Sequence, residues 1–193
     1  MHHIYHTEGL ILGSEISGEA GKRYALLTRE LGLVYAQATG VRKISSKLRF
    51  ILHDFAYVKA DLVQGKNFWR ITSASSTGQL ERIVKRWDTL QVFANIAALL
   101  KRLLPAQGEN SKLFADLIQG LIALEQSETA EELRNIETIV VLRMLADLGY
   151  IGEGDSIKNF VTSPLEAGLV YKVSAARREI LRHINQALRA SHL

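Results

Sequence analysis

The chain has 193 residues, of which 47% are hydrophobic and 23% charged, a balance typical of a globular protein and not of a disordered one. Cysteine is absent, which excludes disulfides and every metal site built on thiolates. The net charge of +4 is unevenly spread, because residues 109–157 carry ten acidic and three basic side chains while the flanking segments are basic. This distribution favours a basic surface that binds a polyanion and a separate acidic surface for a different partner. The alternative is that the surface charge serves solubility and binds no partner.

The amino-terminal stretch MHHIYHTEGLILG has no basic region followed by an apolar core, so we expect no signal peptide. The longest apolar runs, such as ANIAALL, are too short to cross a bilayer, and we expect a cytoplasmic protein that contacts no membrane. His2, His3 and His6 invite a metal interpretation, but histidines at a chain end are more often adventitious ligands. We therefore expect no metal and no other cofactor.

Five short strands are predicted in the first 75 residues. They lie within YHTEGLILGS, KRYALLTREL, LVYAQATG, FAYVKADLV and FWRITSAS. Gly32 marks a tight turn before the third strand, and QGKN closes a hairpin between the last two. Closely spaced strands joined by glycine turns favour a small β-barrel.

Alternate residues of the last three strands separate into an apolar face and a face that mixes aromatic with polar side chains. The apolar faces, which suit a barrel interior, are Val34, Ala36 and Ala38; Ala56, Val58, Ala60 and Leu62; and Trp69 with Ile71. On the opposite faces we expect stacking of bases and contact with phosphate. The stacking residues are Tyr35, Tyr57 and Phe68, and the phosphate contacts are Lys59 and Arg70. The alternative is that these aromatic side chains pack against the second domain.

Between the third and fourth strands lies a stretch that we call the basic loop, residues 40–50. It contains two serines, no acid and four basic residues, Arg42, Lys43, Lys47 and Arg49. Cations on a short flexible segment follow an irregular phosphate backbone, and the release of counterions drives binding. We predict that the loop binds nucleic acid, with Lys22 and Arg23 extending its patch. A loop charged only for solubility is the alternative.

From about Leu80 the apolar spacing changes to three and four residues, which is typical of helices. One stripe runs to Leu103 and is long enough to break in two, and KLFADLIQGLIALEQ continues the pattern. Thr129 and Glu132 form a capping box before ELRNIETIVVLRMLADLG, which Gly149 ends.

The sequence of the last part of the chain predicts one short helical turn followed by one long helix. Ser163, Pro164 and Glu166 begin the turn, and Ser174 is the expected cap of AARREILRHINQALRASH. We place the domain boundary near residues 74–79, which gives a barrel over residues 1–77 and a helical domain over residues 78–193.

Catalytic patterns are missing from the sequence. It contains no Gly-x-x-x-x-Gly-Lys-Ser/Thr, no His-Glu-x-x-His and no Gly-x-Ser-x-Gly. We interpret the acids between Glu125 and Glu137 as the start and exposed face of a helix, where they complement its dipole, and not as metal ligands of a nuclease. We therefore predict that the protein is not an enzyme.

The stretch from Glu8 to Phe50 is similar to the opening of RecO, the bacterial recombination mediator family. The shared features are Gly9 in the first strand, the step Gly18–Glu19, the turn from Thr28 to Gly32, and Gly40 followed by basic residues and serine. LRMLADLGY, residues 142–150, resembles a helix end of the family, and the terminal helix from Ala175 also has a counterpart.

This resemblance implies an α+β fold, with a five-stranded OB-fold barrel followed by an all-α domain. It implies a mediator that binds single- and double-stranded DNA, anneals complementary strands and helps to load recombinase onto strands coated by SSB. The implied partners are RecR, the acidic C-terminal tail of SSB and, indirectly, the RecA filament. Position by position, the family's DNA-contacting loop matches Arg42, Lys43, Lys47 and Arg49.

One departure from the family concerns zinc. Many relatives have a four-cysteine zinc module after the Leu-Gly-Tyr step, whereas residues 151–172 here contain no cysteine. A pocket for the SSB tail needs an apolar groove and a basic residue, and Arg134 and Arg143 are the basic residues of the corresponding helix. Two alternative functions remain open, an RNA-binding OB module and a protein adaptor without catalytic activity.

Overall fold

The structure is a computed structural model that describes residues 3–66, 68–105, 108–152 and 156–190. The chain divides into two compact units. The first consists of Met1–Lys85 and Phe93–Ser111, and the second of Arg86–Val92 and Lys112–Leu193.

The first unit contains a closed barrel of five strands. They are β1 (Ile4–Ser17), β2 (Gly21–Thr28), β3 (Gly32–Ala38), β4 (Tyr57–Gln64) and β5 (Trp69–Ser76). Around the barrel the order is β1-β2-β3-β5-β4, with β3 and β5 parallel and the other neighbours antiparallel. The closed barrel confirms the expected OB fold, and closure leaves no free sheet edge.

Strand β1 closes the barrel because it is long enough to pair on both sides. Its first half pairs with β4, from Ile4 opposite Val63 to Leu10 opposite Tyr57, and its second half pairs with β2. The register shifts between Ile11 and Gly13, where Gly13 has a φ of 145°. A bulge of this kind bends a strand and increases its twist. The predicted strand ended at Ser14, three residues too early.

The barrel core confirms the alternation of faces read from the sequence. The buried cluster includes all the residues assigned to the interior: Val34, Ala36, Ala38, Ala56, Val58, Ala60, Leu62, Trp69 and Ile71. Small side chains on β3 and β4 face the large rings of Tyr24 and Trp69 within one cluster, so that a narrow barrel is filled. The outward positions therefore project from a rigid frame.

The turn between β2 and β3 requires glycine at position 32. Gly32 has a φ of +67°, and a Cβ placed there would lie 1.9 Å from the carbonyl oxygen of Gly108. Both the backbone conformation and the close approach of a second backbone exclude a side chain. The glycine turn predicted here is confirmed.

Within the described residues, five α-helices follow the barrel. They are α1 (Trp87–Leu103), α2 (Ser111–Gln126), α3 (Ala130–Asp147), α4 (Lys158–Thr162) and α5 (Ala167–Ala190). The stripe from Leu80 divides into a 3-10 turn, Ile83–Lys85, and α1. The described residues contain no helix long and apolar enough to cross a membrane.

The ends of α3 lie where the sequence places them. The Thr129 side chain accepts a hydrogen bond from the Glu132 amide at 3.1 Å, and the Glu132 carboxylate accepts one from the Thr129 amide at 3.1 Å. Gly149, with a φ of +78°, follows the last turn. The predicted capping box and stop are both confirmed.

The structure corrects the predicted start of α5. The helix begins at Ala167, and its amides at Leu169 and Val170 donate to the Glu166 carbonyl. The turn predicted after Pro164 is therefore the start of this long helix. Ser174 lies inside it, and its hydroxyl donates to Glu131 at 2.6 Å instead of capping. The predicted end at His192 lies outside the described residues.

Candidate nucleic-acid interface

The basic loop packs against the barrel through apolar side chains. Val41 is buried in the barrel core cluster together with Leu52, which closely follows the loop, and Leu48 packs partly buried against the same cluster. Lys47–Phe50 form a 3-10 turn. We predicted a flexible loop, and the structure shows that three apolar side chains hold it against the barrel: Leu48 between the cations, and Val41 and Leu52 on either side of them.

The four predicted cations of this loop, Arg42, Lys43, Lys47 and Arg49, are all exposed. The Arg42 guanidinium donates to the Glu19 carbonyl at 3.0 Å, and the Arg42 amide donates to the Ala20 carbonyl at 3.0 Å. Within the described residues, no ion pair joins any of the four to a carboxylate. Their charge is thus presented to solvent on an anchored support.

Two exposed apolar side chains of the loop were missed by the sequence analysis. Phe50 is 70% exposed, and Ile44 is 87% exposed. The Arg49 guanidinium lies over the Phe50 ring, 4.3 Å from its centroid. A ring with one face covered by a cation and the other open can stack a base while the cation meets phosphate. The available signal was an aromatic residue next to a basic one outside any strand pattern.

A second group of predicted residues lies on the outer surface of β2, β3 and β5. Arg23 is opposite Gln37 on β3, and Gln37 is opposite Arg70 on β5. The Arg23 guanidinium lies 5.2 Å from the centroid of the Tyr35 ring. Phe68 directly precedes β5 and is exposed, as Tyr35 partly is. The structure thus brings four of the predicted residues together: Arg23, Tyr35, Phe68 and Arg70.

Lys22 and Arg23 point to opposite faces of β2, so they do not extend one patch. The Lys22 ammonium donates to the Ser14 hydroxyl at 3.3 Å, and this hydroxyl donates to Asp54 at 2.5 Å. Arg23 forms an ion pair with Glu15 at 3.7 Å. Both partners of that pair are largely exposed, so it competes only weakly with a polyanion.

Tyr57 does not have the open ring that stacking needs. Its side chain is 6% exposed, and its hydroxyl donates to the Glu8 carboxylate at 2.8 Å. Arg29 donates to the same carboxylate at 2.6 Å. These bonds, from Tyr57 first and then Arg29, hold the pKa of Glu8 below its ordinary value against the opposing effect of burial. This burial removes Tyr57 from the stacking surface that we predicted.

Lys59 lies on a surface of mixed charge. It is exposed and opposite Glu8 in the β1–β4 register. It lines a groove with His6, whose Nδ1 lies 2.6 Å from Asp61. Neighbouring carboxylates oppose a polyanion there, so Lys59 is the least favourably placed of the predicted cations. His2 lies outside the described residues.

Of the two basic residues considered for a tail pocket on α3, Arg143 is buried. Its guanidinium donates to the Phe160 carbonyl at 3.0 Å and to the Ser163 carbonyl, and so holds α4. Burial lowers the pKa of this guanidinium below its ordinary value. Arg134 is exposed. Arg143 therefore serves the packing of α3 and does not face a ligand.

The barrel and its strand order define an OB-fold protein, a class whose members bind oligonucleotides or oligosaccharides. Residues 1–80 match the family model described as recombination protein O N terminal. Curated relatives support the same family. The chain is 31% identical to the DNA repair protein RecO of Rubrobacter xylanophilus over 147 residues, which cover 76% of this chain and 58% of that protein.

Two further relatives are also named DNA repair protein RecO. That of Roseiflexus sp. is 30% identical over 76% of this chain and 50% of its own length. That of Synechococcus sp. is 28% identical over 86% of this chain and 64% of its own length. The chain belongs to the RecO family. It spans between half and about two thirds of the length of these relatives.

Proposed function

We propose that this chain acts in DNA repair as a recombination mediator without catalytic activity, and that it binds single- and double-stranded DNA through the basic loop. The observation that carries this proposal is the anchored presentation of Arg42, Lys43, Lys47 and Arg49, all exposed and without a carboxylate partner in the described residues. Uncompensated cations at fixed spacing release counterions from a phosphate backbone on binding.

The outer surface of β2, β3 and β5 adds a place for bases. Arg23 and Arg70 flank Gln37 on adjacent strands, and Tyr35 and Phe68 offer exposed rings. Aromatic rings beside cations hold single strands with little sequence preference, because every base has a face that stacks. A single strand then uses rings and cations, whereas a duplex uses the cations alone.

Annealing follows from the same charge. Two complementary strands repel each other, and a protein that neutralises both lowers the barrier to their encounter. The loading of recombinase onto SSB-coated strands, with RecR, the SSB tail and, indirectly, the RecA filament as partners, is proposed from the family resemblance. The support for these partners is family membership, and they belong to the proposal for the whole protein.

The test is the salt dependence of binding to a labelled oligothymidylate. Replacing Arg42, Lys43, Lys47 and Arg49 by Ala should reduce the log–log slope by about three, since each cation contributes roughly 0.7 on a single strand. The matched control also removes two Arg and two Lys, all exposed and on helices α1, α3, α4 and α5: Arg102, Arg134, Lys158 and Lys172. Equal slopes for the two quadruple variants would exclude the loop.

The same assay separates the alternative functions. Competition between DNA and RNA of one sequence tests an RNA-binding module, because loop cations meet the phosphates of either nucleic acid, whereas the 2′-hydroxyl alone distinguishes RNA. Failure to bind either nucleic acid at low salt would favour the adaptor. An annealing assay with complementary strands, with and without a coat of SSB, then tests the mediator itself.

A further inference from the structure

Helix α5 presents a row of arginines to solvent. Arg178, Arg182 and Arg189 are exposed, and they recur at spacings of four and seven residues. With 3.6 residues per turn, their side chains fall within an arc of about 40°, over about 16 Å of helix length. We call this surface the α5 arginine row; Asn185 and Gln186 lie beside it.

The arginine row is uncompensated. No ion pair joins its three guanidinium groups to a carboxylate among the described residues. Glu179 is the nearest acid in the helix, and it lies at the flank of the row, about 60° from Arg182, and is half-buried. Three aligned guanidinium groups without acids match a polyanion in charge.

An aromatic side chain continues the same row. Tyr171 stands seven residues before Arg178 and therefore on the same face of α5. It is 81% exposed, so its ring is open to a ligand. The ring also lines a cavity that four glutamates share, among them Glu131 and Glu166, so carboxylates lie at this end of the row and the arginines must supply the attraction for phosphate. An exposed ring in line with guanidinium groups is the combination that binds a single strand by stacking and phosphate contact. An acidic peptide would use the arginines but has no base for the ring.

The opposite face of α5 is firmly held, so the row sits on a rigid support. Val173, Ile180 and Ile184 are buried. The Asn135 side chain of α3 donates to the Val170 carbonyl at 3.2 Å and to the Ser174 hydroxyl at 2.8 Å. These contacts fix the rotation of α5 about its axis and thereby determine which residues face solvent.

We infer that Tyr171, Arg178, Arg182 and Arg189 form a second binding surface for single-stranded nucleic acid, in the helical unit and separate from the basic loop. This inference extends the proposed function, because one chain then holds two phosphate backbones at once. A second strand held on the same molecule is what annealing requires, since its local concentration is raised by the connection between the two sites.

The test replaces Arg178, Arg182 and Arg189 by Gln, which keeps the helix propensity and removes the charge. Its matched control replaces Arg134, Lys158 and Lys172 by Gln; all three are exposed cations of the same unit that do not belong to the row. The slope of oligothymidylate affinity against salt should fall by about two for the row variant and stay near that of the parent for the control. Both variants should melt at the temperature of the parent.

A combined variant separates this inference from the proposed function. It carries the three Gln substitutions of the row (the row variant) together with the four Ala substitutions of the basic loop (the loop variant). The loop variant should retain weak, salt-dependent binding that disappears once the row is also replaced. Equal slopes for row variant and control would overturn the inference while leaving the loop proposal intact. It would equally be overturned if a poly-glutamate peptide bound the row and oligothymidylate did not displace it, since the surface would then belong to an acidic protein.

A single substitution tests the role of the ring. Tyr171→Ala should weaken oligothymidylate binding about fivefold or more without changing the salt slope, because stacking releases no counterions. An abasic oligonucleotide should bind parent and variant equally well. Equal affinity of Tyr171→Ala and parent for oligothymidylate would remove stacking from the inference.

Discussion

The Tyr24 hydroxyl donates a hydrogen bond to the carbonyl oxygen of Leu52, 3.2 Å away, and so ties the segment that follows the basic loop to strand β2. Both residues are buried in the barrel core cluster. This bond satisfies a carbonyl that water does not reach, which matters because an unpaired buried polar group is costly. The position of the four loop cations thus depends on the barrel interior.

Tyr24→Phe should lower the free energy of unfolding by about 1 kcal/mol at pH 7, since the Leu52 carbonyl loses its partner. Above pH 10 the difference between variant and parent should shrink. Burial, aided by the Asp54 charge, raises the pKa of Tyr24 from 10.0 to about 12. The unfolded chain releases this proton near pH 10 and the folded chain holds it, so the parent loses stability as the pH rises from 10 to 12.

Urea unfolding at pH 7, 10 and 11 measures both effects of Tyr24→Phe. The other titrating groups are common to both proteins, so the difference between them reports on Tyr24 alone. A constant difference across this range would contradict the raised pKa.

Phe50→Ala should weaken binding of a single strand by about 1–3 kcal/mol, or about fivefold to 150-fold, if the open face of the ring stacks a base. Duplex binding should change much less, because paired bases are not available for stacking. The control is Trp87→Ala, which removes a side chain that is 76% exposed and lies outside the loop. Fluorescence anisotropy with matched single and double strands measures both affinities, and equal losses for the two variants would argue against stacking.

Glu8→Gln should destabilise the barrel at pH 7, because the carboxylate accepts from Tyr57 and Arg29. The pKa of Glu8 lies below its ordinary value of 4.5, mainly through the Tyr57 hydrogen bond. A lowered pKa contributes stability above pH 4.5 that is lost as the pH falls through the folded value. The two proteins should therefore converge in acid. Glu19→Gln, at an exposed carboxylate, is the control and should show no such convergence.

Gly120→Ala should destabilise the helical unit by roughly 1–3 kcal/mol, because the added Cβ would lie 2.3 Å from Cγ2 of Val140 on α3. Gly168→Ala in α5 meets nothing within 4 Å and should be neutral or stabilise by up to about 1 kcal/mol. In a double-mutant cycle, Val140→Ala should relieve part of the Gly120→Ala loss. Thermal melting measures all four proteins, and strict additivity would contradict the steric explanation.

Local pattern explains which parts of the fold were predicted correctly. Strands β3, β4 and β5 alternate small or apolar residues with polar ones, and this period of two determines the interior face. The capping box at Thr129 and the glycine at 149 are local signals of a few residues, and both mark the ends of α3. The start of α5 was misplaced because Ser174 has the chemistry of a cap but bonds to Glu131 and Asn135 instead.

For the candidate site too, some features follow from neighbouring residues in the chain and others from contacts between distant ones. That four cations without acids stand together between two strands of a barrel follows from the order of residues along the chain. Three other features depend on the fold. The loop is anchored through Val41 and Leu52, Phe50 is open whereas Tyr57 is buried against Glu8, and the arginine row on α5 forms no ion pair among the described residues. Charge and period are properties of neighbours in the chain, whereas burial and pairing depend on residues brought together from far apart in it.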